Sequence, residues 1–318
     1  MLKLNSGRTL YYGKGDVLSY RTYARPISVG AIPESAYNGN SNVIFAHNIT
    51  FSISSEVLLT SFTEGDNSRV VATDSMKNFL LRHTATYEGS TTEGLLAYLS
   101  KLFLDRYPHV DQLELRADRI PFNDLQVAGT DGMVLSPLVY RRSHNDHASA
   151  SLKLSNNEKS STVVEHECAI TDVQLIKVSG SSFYGFVRDE YTTLPESYDR
   201  PLFIFLHIFW SYENVEHAID ASLEQYVAAE QIRDITHNVF HEFNSPSIQF
   251  LIYQVGLRIL TRFPQLKEVR FESNNRTWET VVDHGEDDKA AAYTEPRPPF
   301  GFQGFTMTKE DLAADGIG

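Results

Sequence analysis

Four polar side chains are of the types needed to bind and deprotonate a small molecule, and each differs from its counterpart in an internal repeat. Lys14, in YGKGDV, supplies a cation and Thr73, in ATDS, supplies a hydroxyl, a pair suited to proton transfer. Arg200 offers two parallel donors and Gln249 one donor and one acceptor, which match the edge of a planar heterocycle. The residues opposite Lys14, Thr73, Arg200 and Gln249 in the repeat are Ile170, Ala229, Ile44 and Glu93. We expect one copy to supply proton transfer and the other to supply recognition.

A purely structural explanation of the same residues stays open. Thr73, Asp74 and Ser75 would also suit the N-cap of a helix, and an arginine before a strand is common. The two explanations are compatible, because the start of a helix presents backbone N–H groups and the positive end of its dipole, which favour a small anion.

The repeat is visible when the sequence is shifted by 156 residues. LLAYLSKLFLDRYPHVDQLEL then lies over LIYQVGLRILTRFPQLKEVRF without a gap. The aligned pairs are 95–115 with 251–271, 70–75 with 226–231, and Asp16-Val17 with Asp172-Val173. One shift that holds over so long a stretch indicates a duplicated domain.

Each copy has the same predicted order of elements. A strand pair comes first, at about 10–23 and 43–61 in one copy and at about 164–187 and 201–212 in the other. Two helices follow, since apolar residues recur at helical spacing, and further strands close the copy. The order β-β-α-α-β-β predicts the α+β class, with two tandem units that each form an antiparallel sheet carrying helices on one face.

The unit boundaries follow from the repeat and from local composition. We place the first unit at residues 8–153 and the second at 163–311. The Ser/Asn-rich stretch 154–162 is the predicted linker, and the charged stretch 284–290 is a predicted solvated loop.

Composition excludes several classes of partner. The net charge of −13 argues against nucleic acid, which is bound mainly by basic surface. The most apolar run, 201–210, is about half the roughly 20 residues that a membrane helix needs, so we expect no membrane partner. The single cysteine, Cys168, suits a reducing compartment, and the N-terminus has no signal-peptide core. The expected location is the cytoplasm.

No cofactor signature stands out. His166 and Cys168 would share one face of a strand, but no further ligand follows at a recognisable spacing. The polar segment His144–His147 is interpreted as a strand end or turn. Motifs for catalytic zinc, phosphate loops and dinucleotides are absent from the sequence. We therefore expect no metal and no cofactor.

A series of motifs, in order along the chain, resembles the uricases, and the Bacillus-type members most. The motifs are YGKGDV (12–17), VVATDSMKNF (70–79), FYGFVRDEYTTL (183–194), DRP (199–201), SIQFLIY (247–253) and EPRPPFGFQGF (295–305). The resemblance runs from about residue 8 to residue 311. It implies the tunnelling fold, with two tandem units per chain and a homotetramer around a channel, in agreement with the repeat.

The resemblance also implies roles for individual residues. Lys14 and Thr73 match the catalytic pair, while Arg200 and Gln249 match the clamp on the urate edge. The other matched positions are Phe183, which stacks under the ring, Asp74 and Ile248, which line the substrate, and Asn275, which holds oxygen and later water. In the family the Lys–Thr side and the Arg–Gln side of a site come from different subunits.

One position departs from the family pattern. Many uricases have a histidine two residues after the asparagine, and here that residue is Thr277. On a strand, positions 275 and 277 face the same way, so the hydroxyl can point inward. The usual relay of Lys, Thr and His is therefore shortened.

The reaction that the resemblance implies is oxidation of urate by O₂ and water to 5-hydroxyisourate and hydrogen peroxide. Two alternatives stay open at this stage. One is another tunnelling-fold enzyme that binds pterins or purines, although such enzymes place a glutamate where Gln249 stands. The other is a catalytically inactive purine-binding homologue, against which the presence of Lys14 and Thr73 argues.

Overall fold

The computed structural model describes residues 3–157, 160–220, 222–276, 278–283 and 291–316. In the first half the strands are β1 (Tyr12–Thr22), β2 (Ile27–Ser28), β3 (Gly39–Asn40), β4 (Ile44–Ser54), β5 (Gln112–Arg119), β6 (Phe122–Gly129), β7 (Gly132–Arg142) and β8 (His147–Asn157). In the second half they are β9 (Ser160–Lys177), β10 (Leu202–Tyr212), β11 (Leu266–Arg276), β12 (Thr280–Asp283), β13 (Ala291–Tyr293) and β14 (Phe300–Thr308). The helices are α1 (Leu59–Thr63), α2 (Thr73–Thr86), α3 (Thr92–Arg106), α4 (Glu216–Ile219), α5 (Ala229–Glu242), α6 (Ile248–Arg262) and α7 (Lys309–Ala314).

One antiparallel sheet of eight strands organises the chain, in the order β1-β4-β5-β8-β9-β10-β11-β14. The first four strands, with α2 and α3, form unit one, and the last four, with α5 and α6, form unit two. Each unit therefore has the predicted order β-β-α-α-β-β, and the α+β class is confirmed.

The helices of the two units correspond residue for residue. α2 and α5 each have 14 residues and begin 156 residues apart, as do α3 and α6 with 15 residues each. Thr91 caps α3 by accepting a hydrogen bond from a backbone N–H, and Ser247 caps α6 in the same way. Helices α2 and α5 follow Ala72 and Ala228, which provide no side-chain cap.

A β-bulge repeats at the aligned aspartates. Asp16 on β1 and Asp172 on β9 have φ angles of 52° and 60°, in the left-handed region that a residue with a Cβ seldom adopts. In both units the strand register shifts beside this residue. The duplicated sequence therefore encodes a duplicated backbone irregularity as well as duplicated helices.

Each unit buries its own core between the sheet and the helices. Along β10 buried and half-buried residues alternate, as expected for a strand with one face on a core. Helix α6 places Leu251, Val255 and Ile259 in the core of unit two, at positions equivalent to Leu95, Leu99 and Phe103 of unit one. The predicted amphipathic spacing is thus confirmed in both copies.

Three predicted boundaries differ from the structure. The strand expected at 43–61 ends at Ser54, because a 3₁₀ turn (Glu56–Leu58) and α1 follow. The strand expected at 164–187 ends at Lys177, before an irregular segment. The predicted linker 154–162 overlaps the ends of β8 and β9, where Asn157 pairs with Ser160, so the units are joined by paired strands. The unit limits at 8–153 and 163–311 stay a prediction, and the loop predicted at 284–290 lies outside the described residues.

Two further features bear on the sequence predictions. Strands β6 and β7 pair with each other as a separate hairpin that the repeat did not reveal. Within the described ranges, none of the helices combines the length and the apolar character that crossing a membrane would require.

Candidate active site

Lys14 lies on the edge strand β1, directly before the bulge. Its strand partner is Phe51 on β4, and its side chain is half-buried. The preceding residue, Gly13, is essential to this approach, because a Cβ there would collide with the Phe51 carbonyl. The segment YGKGD therefore fixes the backbone at Lys14 while leaving its ammonium group unpaired among the described residues.

A tyrosine hydroxyl ties the start of α2 to the strand that carries Lys14. Tyr12 Oη accepts a hydrogen bond from the Val71 N–H at 2.8 Å and donates to the Val71 carbonyl at 3.2 Å. Tyr12 and Lys14 are two residues apart on one strand and face the same way, and Val71 is two residues before Thr73. This contact therefore sets the distance between the lysine and the threonine.

Thr73 is the first residue of α2, with its hydroxyl uncommitted in the described part of the chain. The predicted N-cap role for Thr73, Asp74 and Ser75 is wrong, since Ala72 occupies the cap position. The first N–H groups of α2, next to this hydroxyl along the chain, therefore have no side-chain acceptor among the described residues.

Asp74 is exposed and paired along its own helix. Its carboxylate accepts hydrogen bonds from Lys77 Nζ at 2.7 Å and Asn78 Nδ2 at 2.9 Å. The pKa of Asp74 is lowered by the Lys77 hydrogen bond and charge first, and also by the charge of Lys14. Lys14 is therefore close enough to act on the first turn of α2.

A second group forms around Arg200, at the entry to β10. Its guanidinium carbon lies 5.4 Å from the ring centroid of Phe183, and Phe183 stacks on Phe186 with centroids 4.8 Å apart and planes at 13°. The Arg200 Nε–H is buried and has no partner among the described residues. Burial lowers the pKa of this guanidinium below its ordinary value. A desolvated donor held over an aromatic ring is a half-built binding site for a planar acceptor.

Serine contacts dock this group onto the start of α6. The Ser182 N–H donates to the Ser245 carbonyl at 2.8 Å, and Ser245 Oγ donates to the Ser247 carbonyl at 2.6 Å. The Arg200 N–H donates to the Ser181 carbonyl at 2.8 Å. The segment that carries Phe183 and Arg200 is therefore fixed against the cap of α6.

The first two residues of α6 differ in exposure. Ile248 is buried, whereas Gln249 is exposed with an uncommitted amide in the described structure. Gln249 therefore lies at the start of α6, against which the Arg200 segment is fixed, and its amide is free to contact a ligand.

Asn275 lies on β11, opposite Ile204 of β10 and Gly301 of β14. The asparagine amide fills the space that a side chain at position 301 would need, since a Cβ there would lie 2.9 Å from Asn275 Oδ1. β10 begins two residues after Arg200, so Asn275 belongs to the second group. Thr277 lies outside the described residues.

The structure does not bring the two groups together within one chain. Lys14 is on β1, at one edge of the sheet, and Asn275 is on β11, with β4, β5, β8, β9 and β10 between them. At about 4.8 Å per strand the separation along the sheet is about 29 Å. Each chain therefore carries the two groups as separate candidate half-sites.

Strand pairing corrects one of the aligned pairs. The residue opposite position 14 is Phe51, and the residue opposite the equivalent position of β9 is Ile208, so β4 and β10 correspond with a shift of 157. The counterpart of Arg200 is therefore Val43 and not Ile44, because unit two has one additional residue before β10.

Inside one chain, unit one meets unit two along the positions equivalent to the two groups. There the part of unit two that corresponds to Lys14 and Thr73 meets the part of unit one that corresponds to Arg200 and Gln249. A cavity of about 390 Å³, the junction pocket, is lined by Ile44 and Arg119 of unit one and by Ile170 and Glu230 of unit two. Arg119 is the counterpart of Asn275 under the shift of 156. The junction pocket therefore occupies, inside the chain, the place equivalent to a meeting of the two half-sites.

The residues considered as metal ligands have other partners. His166 Nε2 accepts a hydrogen bond from the Tyr212 N–H at 2.9 Å. His147 Nε2 lies 3.0 Å from the Thr171 hydroxyl. Over the described ranges, three or more His, Cys, Asp or Glu side chains do not gather into a metal-binding group.

Sequence reasoning missed the residues that hold the half-sites in place. Tyr12, Phe186 and Ser245 do not differ in type from ordinary core or loop residues. One signal was available, since Tyr12 is two residues from Lys14 and so shares its strand face.

Comparison with known proteins shows to which family the chain belongs. The sequence model of the family described as Uricase matches residues 34–163 and 166–303. The "Uric acid degradation bifunctional protein" of Bacillus sp. TB-90 is 50% identical over 98% of this chain, which spans only 62% of that relative's length. A "Uricase" of Haloferax volcanii is 48% identical over 95% of this chain and 98% of its own. A crystal structure of a uricase from Bacillus fastidious superposes with a TM-score of 0.95 and 54% identity, covering 98% of this chain and 97% of that one. The chain belongs to the uricase family.

Proposed function

We propose that the chain is a urate oxidase that converts urate, O₂ and water to 5-hydroxyisourate and hydrogen peroxide without a metal or an organic cofactor. The observation that carries the proposal is the guanidinium of Arg200 over the Phe183 ring, with its Nε–H buried and unpaired among the described residues, in a chain of the uricase family. A planar anion with carbonyl and N–H edges is the ligand that such an arrangement fits.

The recognition half-site holds the ring. Arg200 donates to the carbonyl edge of urate, and Gln249 donates and accepts beside it. Phe183 stacks on the purine face, and Ile248 excludes water from its edge. Donors fixed before binding stabilise the additional negative charge as the substrate loses a proton.

The proton-transfer half-site removes that proton. The Thr73 hydroxyl passes it to Lys14, which accepts it as the neutral amine, and the uncapped N–H groups of α2, beside Asp74, stabilise the anion. The deprotonated substrate is electron-rich enough to reduce O₂ at a position next to Asn275. O₂ accepts two electrons and two protons from the substrate and leaves as H₂O₂, and water adds to the oxidised ring. Urate, O₂ and H₂O thus give 5-hydroxyisourate and H₂O₂, and the atoms balance. The part of Thr277 in this path stays a prediction.

The two half-sites meet between subunits in this proposal. The junction between unit one and unit two already joins a recognition half to a proton-transfer half, with Tyr226 Oη donating to Glu93 Oε2 at 3.1 Å. The same junction, repeated between the free β1 edge of one chain and the free β14 edge of another, would bring Gln249 to Thr73. Closure of both edges gives a ring without open strands, and stacking of two rings gives the homotetramer that the family resemblance implies. We place the enzyme in the cytoplasm, which suits its single buried thiol, Cys168.

The activity is tested on purified protein after exhaustive treatment with EDTA. We expect loss of the urate absorbance band, consumption of O₂ and release of one H₂O₂ per urate. Activity that EDTA abolishes and one metal restores would contradict the cofactor-free mechanism. Stoichiometric urate binding without turnover would identify an inactive homologue.

The shared site is tested by mixing two inactive variants. Thr73→Ala impairs only the proton-transfer half and Arg200→Ala only the recognition half. After random exchange of equal amounts, about a quarter of the junctions combine two intact halves, so about a quarter of the activity returns. Lack of recovery after exchange verified by native mass spectrometry would mean that each chain builds its own site.

A further inference from the structure

The junction pocket has the size and the lining of a ligand site. Its volume of about 390 Å³ lies within the range of small-molecule pockets. Unit one contributes Tyr37, Arg119 and Asn123, and unit two contributes Glu230 and Arg233. Most of these groups are polar, and they approach the cavity from both units.

The pocket cannot repeat the proposed oxidation. The counterparts of Lys14 and Thr73 here are Ile170 and Ala229, both buried, so a proton acceptor and its hydroxyl relay are missing. Glu93, the counterpart of Gln249, is turned away into a contact with Tyr226. Whatever the junction pocket holds is bound and not converted.

Three groups at the pocket are nevertheless uncommitted. The Tyr37 hydroxyl is buried and has no hydrogen-bond partner in the described residues. Glu230 lines the same cavity, close enough for its charge to act on Tyr37, and has no hydrogen bond or ion pair among those residues. Arg119 donates one N–H to Asn42 Oδ1 at 2.6 Å and keeps further N–H groups for another acceptor. Burial and the charge of Glu230 raise the pKa of Tyr37, so its hydroxyl keeps its proton.

Two other charged residues of the lining, Arg233 and Asp146, are already paired. Arg233 contacts Asp234 at 3.1 Å and Asp146 at 3.3 Å. Glu230, Arg119 and Tyr37 therefore offer one carboxylate, one guanidinium and one hydroxyl, and the carboxylate of Asp124 lies on the exposed part of the lining. A ligand that satisfies all three presents an N–H to Glu230 and a carbonyl to Arg119 and Tyr37.

We propose that the junction pocket is a second, non-catalytic binding site for a small planar heterocycle with adjacent N–H and C=O groups, of oxopurine or cyclic-ureide type. The site has one copy per chain. It lies between the two units, so its occupancy stabilises their relative position. It goes beyond the oxidation of urate and does not depend on it.

Xanthine, an oxopurine with the required edge, is the probe. Equilibrium dialysis of the full chain should give two bound molecules per chain, one at the proposed active site and one at the junction pocket. Arg200→Ala should leave one. Glu230→Ala and Tyr37→Phe, each combined with Arg200→Ala, should weaken the remaining binding by about ten-fold or more. The matched control is Glu224→Ala, which removes an exposed glutamate of the same unit outside the pocket.

The outcomes separate this proposal from that of the active site. Loss of all binding in Arg200→Ala, with the thermal transition unchanged, would overturn the second site. Residual binding that survives both Glu230→Ala and Tyr37→Phe would overturn its location. Because Tyr37→Phe removes only one oxygen atom, it keeps the test valid if Glu230→Ala fails to fold. The readout is binding, so an inactive protein could still support the junction site.

Discussion

The two units share a backbone and differ in a few side chains at equivalent places. Helices α2 and α5 have the same length, lack a side-chain cap, and follow an amide held by a tyrosine hydroxyl. Tyr12 holds Val71 at 2.8 Å and Tyr212 holds Val227 at 2.9 Å, although these tyrosines come from different strands. The structural need to fix the helix start is therefore common to both units.

The two units differ in the side chains that this shared backbone arrangement carries at the starts of the helices. Unit one has Thr73 at the start of α2, and unit two has Ala229 at the start of α5. At the second position of the next helix, Glu93 is buried and Gln249 is exposed. One combination makes a closed junction inside the chain, and the other leaves two open half-sites. The comparison teaches that each unit gives one side of the shared frame to the junction inside the chain and the other side to the proposed active site.

The largest effect is expected from removing the hydroxyl at the start of α2, compared with adding one at the start of α5. Thr73→Ala should lower kcat by about a hundred-fold or more, because it interrupts general base catalysis. Ala229→Ser, which adds a hydroxyl at the equivalent place of unit two, should leave kcat within about two-fold, since no lysine faces it. Steady-state rates on both variants decide the point.

Thermal unfolding provides the control for this pair. Both variants should unfold near the temperature of the unmodified protein. If Ala229→Ser proves as damaging to kcat as Thr73→Ala while the fold is kept, proton transfer is not confined to unit one.

A smaller effect is expected from the two tyrosines. Tyr12→Phe removes both bonds to Val71 and loosens the start of α2 beside Lys14. We expect kcat to fall by about ten-fold with little change in KM, since one to two hydrogen bonds of about 1 kcal/mol position the threonine. Tyr12 is thus a positioning residue.

Tyr212→Phe is the matched control, because it breaks the same bond in the unit that lacks the threonine. It should lower the free energy of unfolding by about 1–3 kcal/mol, as a buried N–H loses its acceptor, and leave kcat unchanged. Equal losses of kcat in both variants would show that the effect of Tyr12 is a general loss of stability.

The smallest effect concerns Glu93 and the pH dependence of stability. Burial raises the pKa of Glu93 above its ordinary value, although Tyr226 and Cys168 hydrogen-bond to it. Between the unfolded and the folded pKa the native state binds more protons, so stability falls as pH rises through that window and stays lower above it. Glu93→Gln removes this pH-dependent contribution to the stability of the fold. Its melting temperature should therefore decrease less than that of the unmodified protein between pH 4.5 and 8.

Gln249→Glu is the comparison for this variant, because it places a carboxylate at the equivalent exposed position. Its melting temperature should follow the unmodified protein across the same pH range. A pH profile of Glu93→Gln that coincides with that of the unmodified protein would mean that the Glu93 carboxyl is solvated.

Much of the fold could be predicted because the repeat keeps a constant spacing in the helices that pack against the sheet. The shift of 156 residues predicted the equivalence of α3 and α6, and the structure confirms it to the residue. It failed at β10, since one additional residue precedes that strand and moves the counterpart of Arg200 to Val43. The hairpin β6–β7 was missed, because it has no equivalent pattern in the other copy.

The candidate site was predictable in residue types and not in arrangement. Divergence between the copies selects Lys14, Thr73, Arg200 and Gln249, but spacing along the chain does not tell which of them meet. Contacts such as that of Tyr12 with Val71 join residues 59 positions apart, and the periodicity of the sequence does not reveal such contacts. The junction pocket depends on both units at once, so only the assembled sheet reveals it.

The edge strands β1 and β14 have a consequence for the chain before it forms the proposed assembly. Leu18 and Tyr20 on β1 are each 52% exposed, and Phe302 on β14 is 81% exposed. An edge with unpaired N–H and C=O groups beside such side chains is a template for non-native strand addition. In a newly synthesised chain, docking of these edges in the proposed assembly therefore competes with aggregation. Variants that slow docking should first appear as material lost to precipitation in the cell, while the chains that do assemble keep full specific activity.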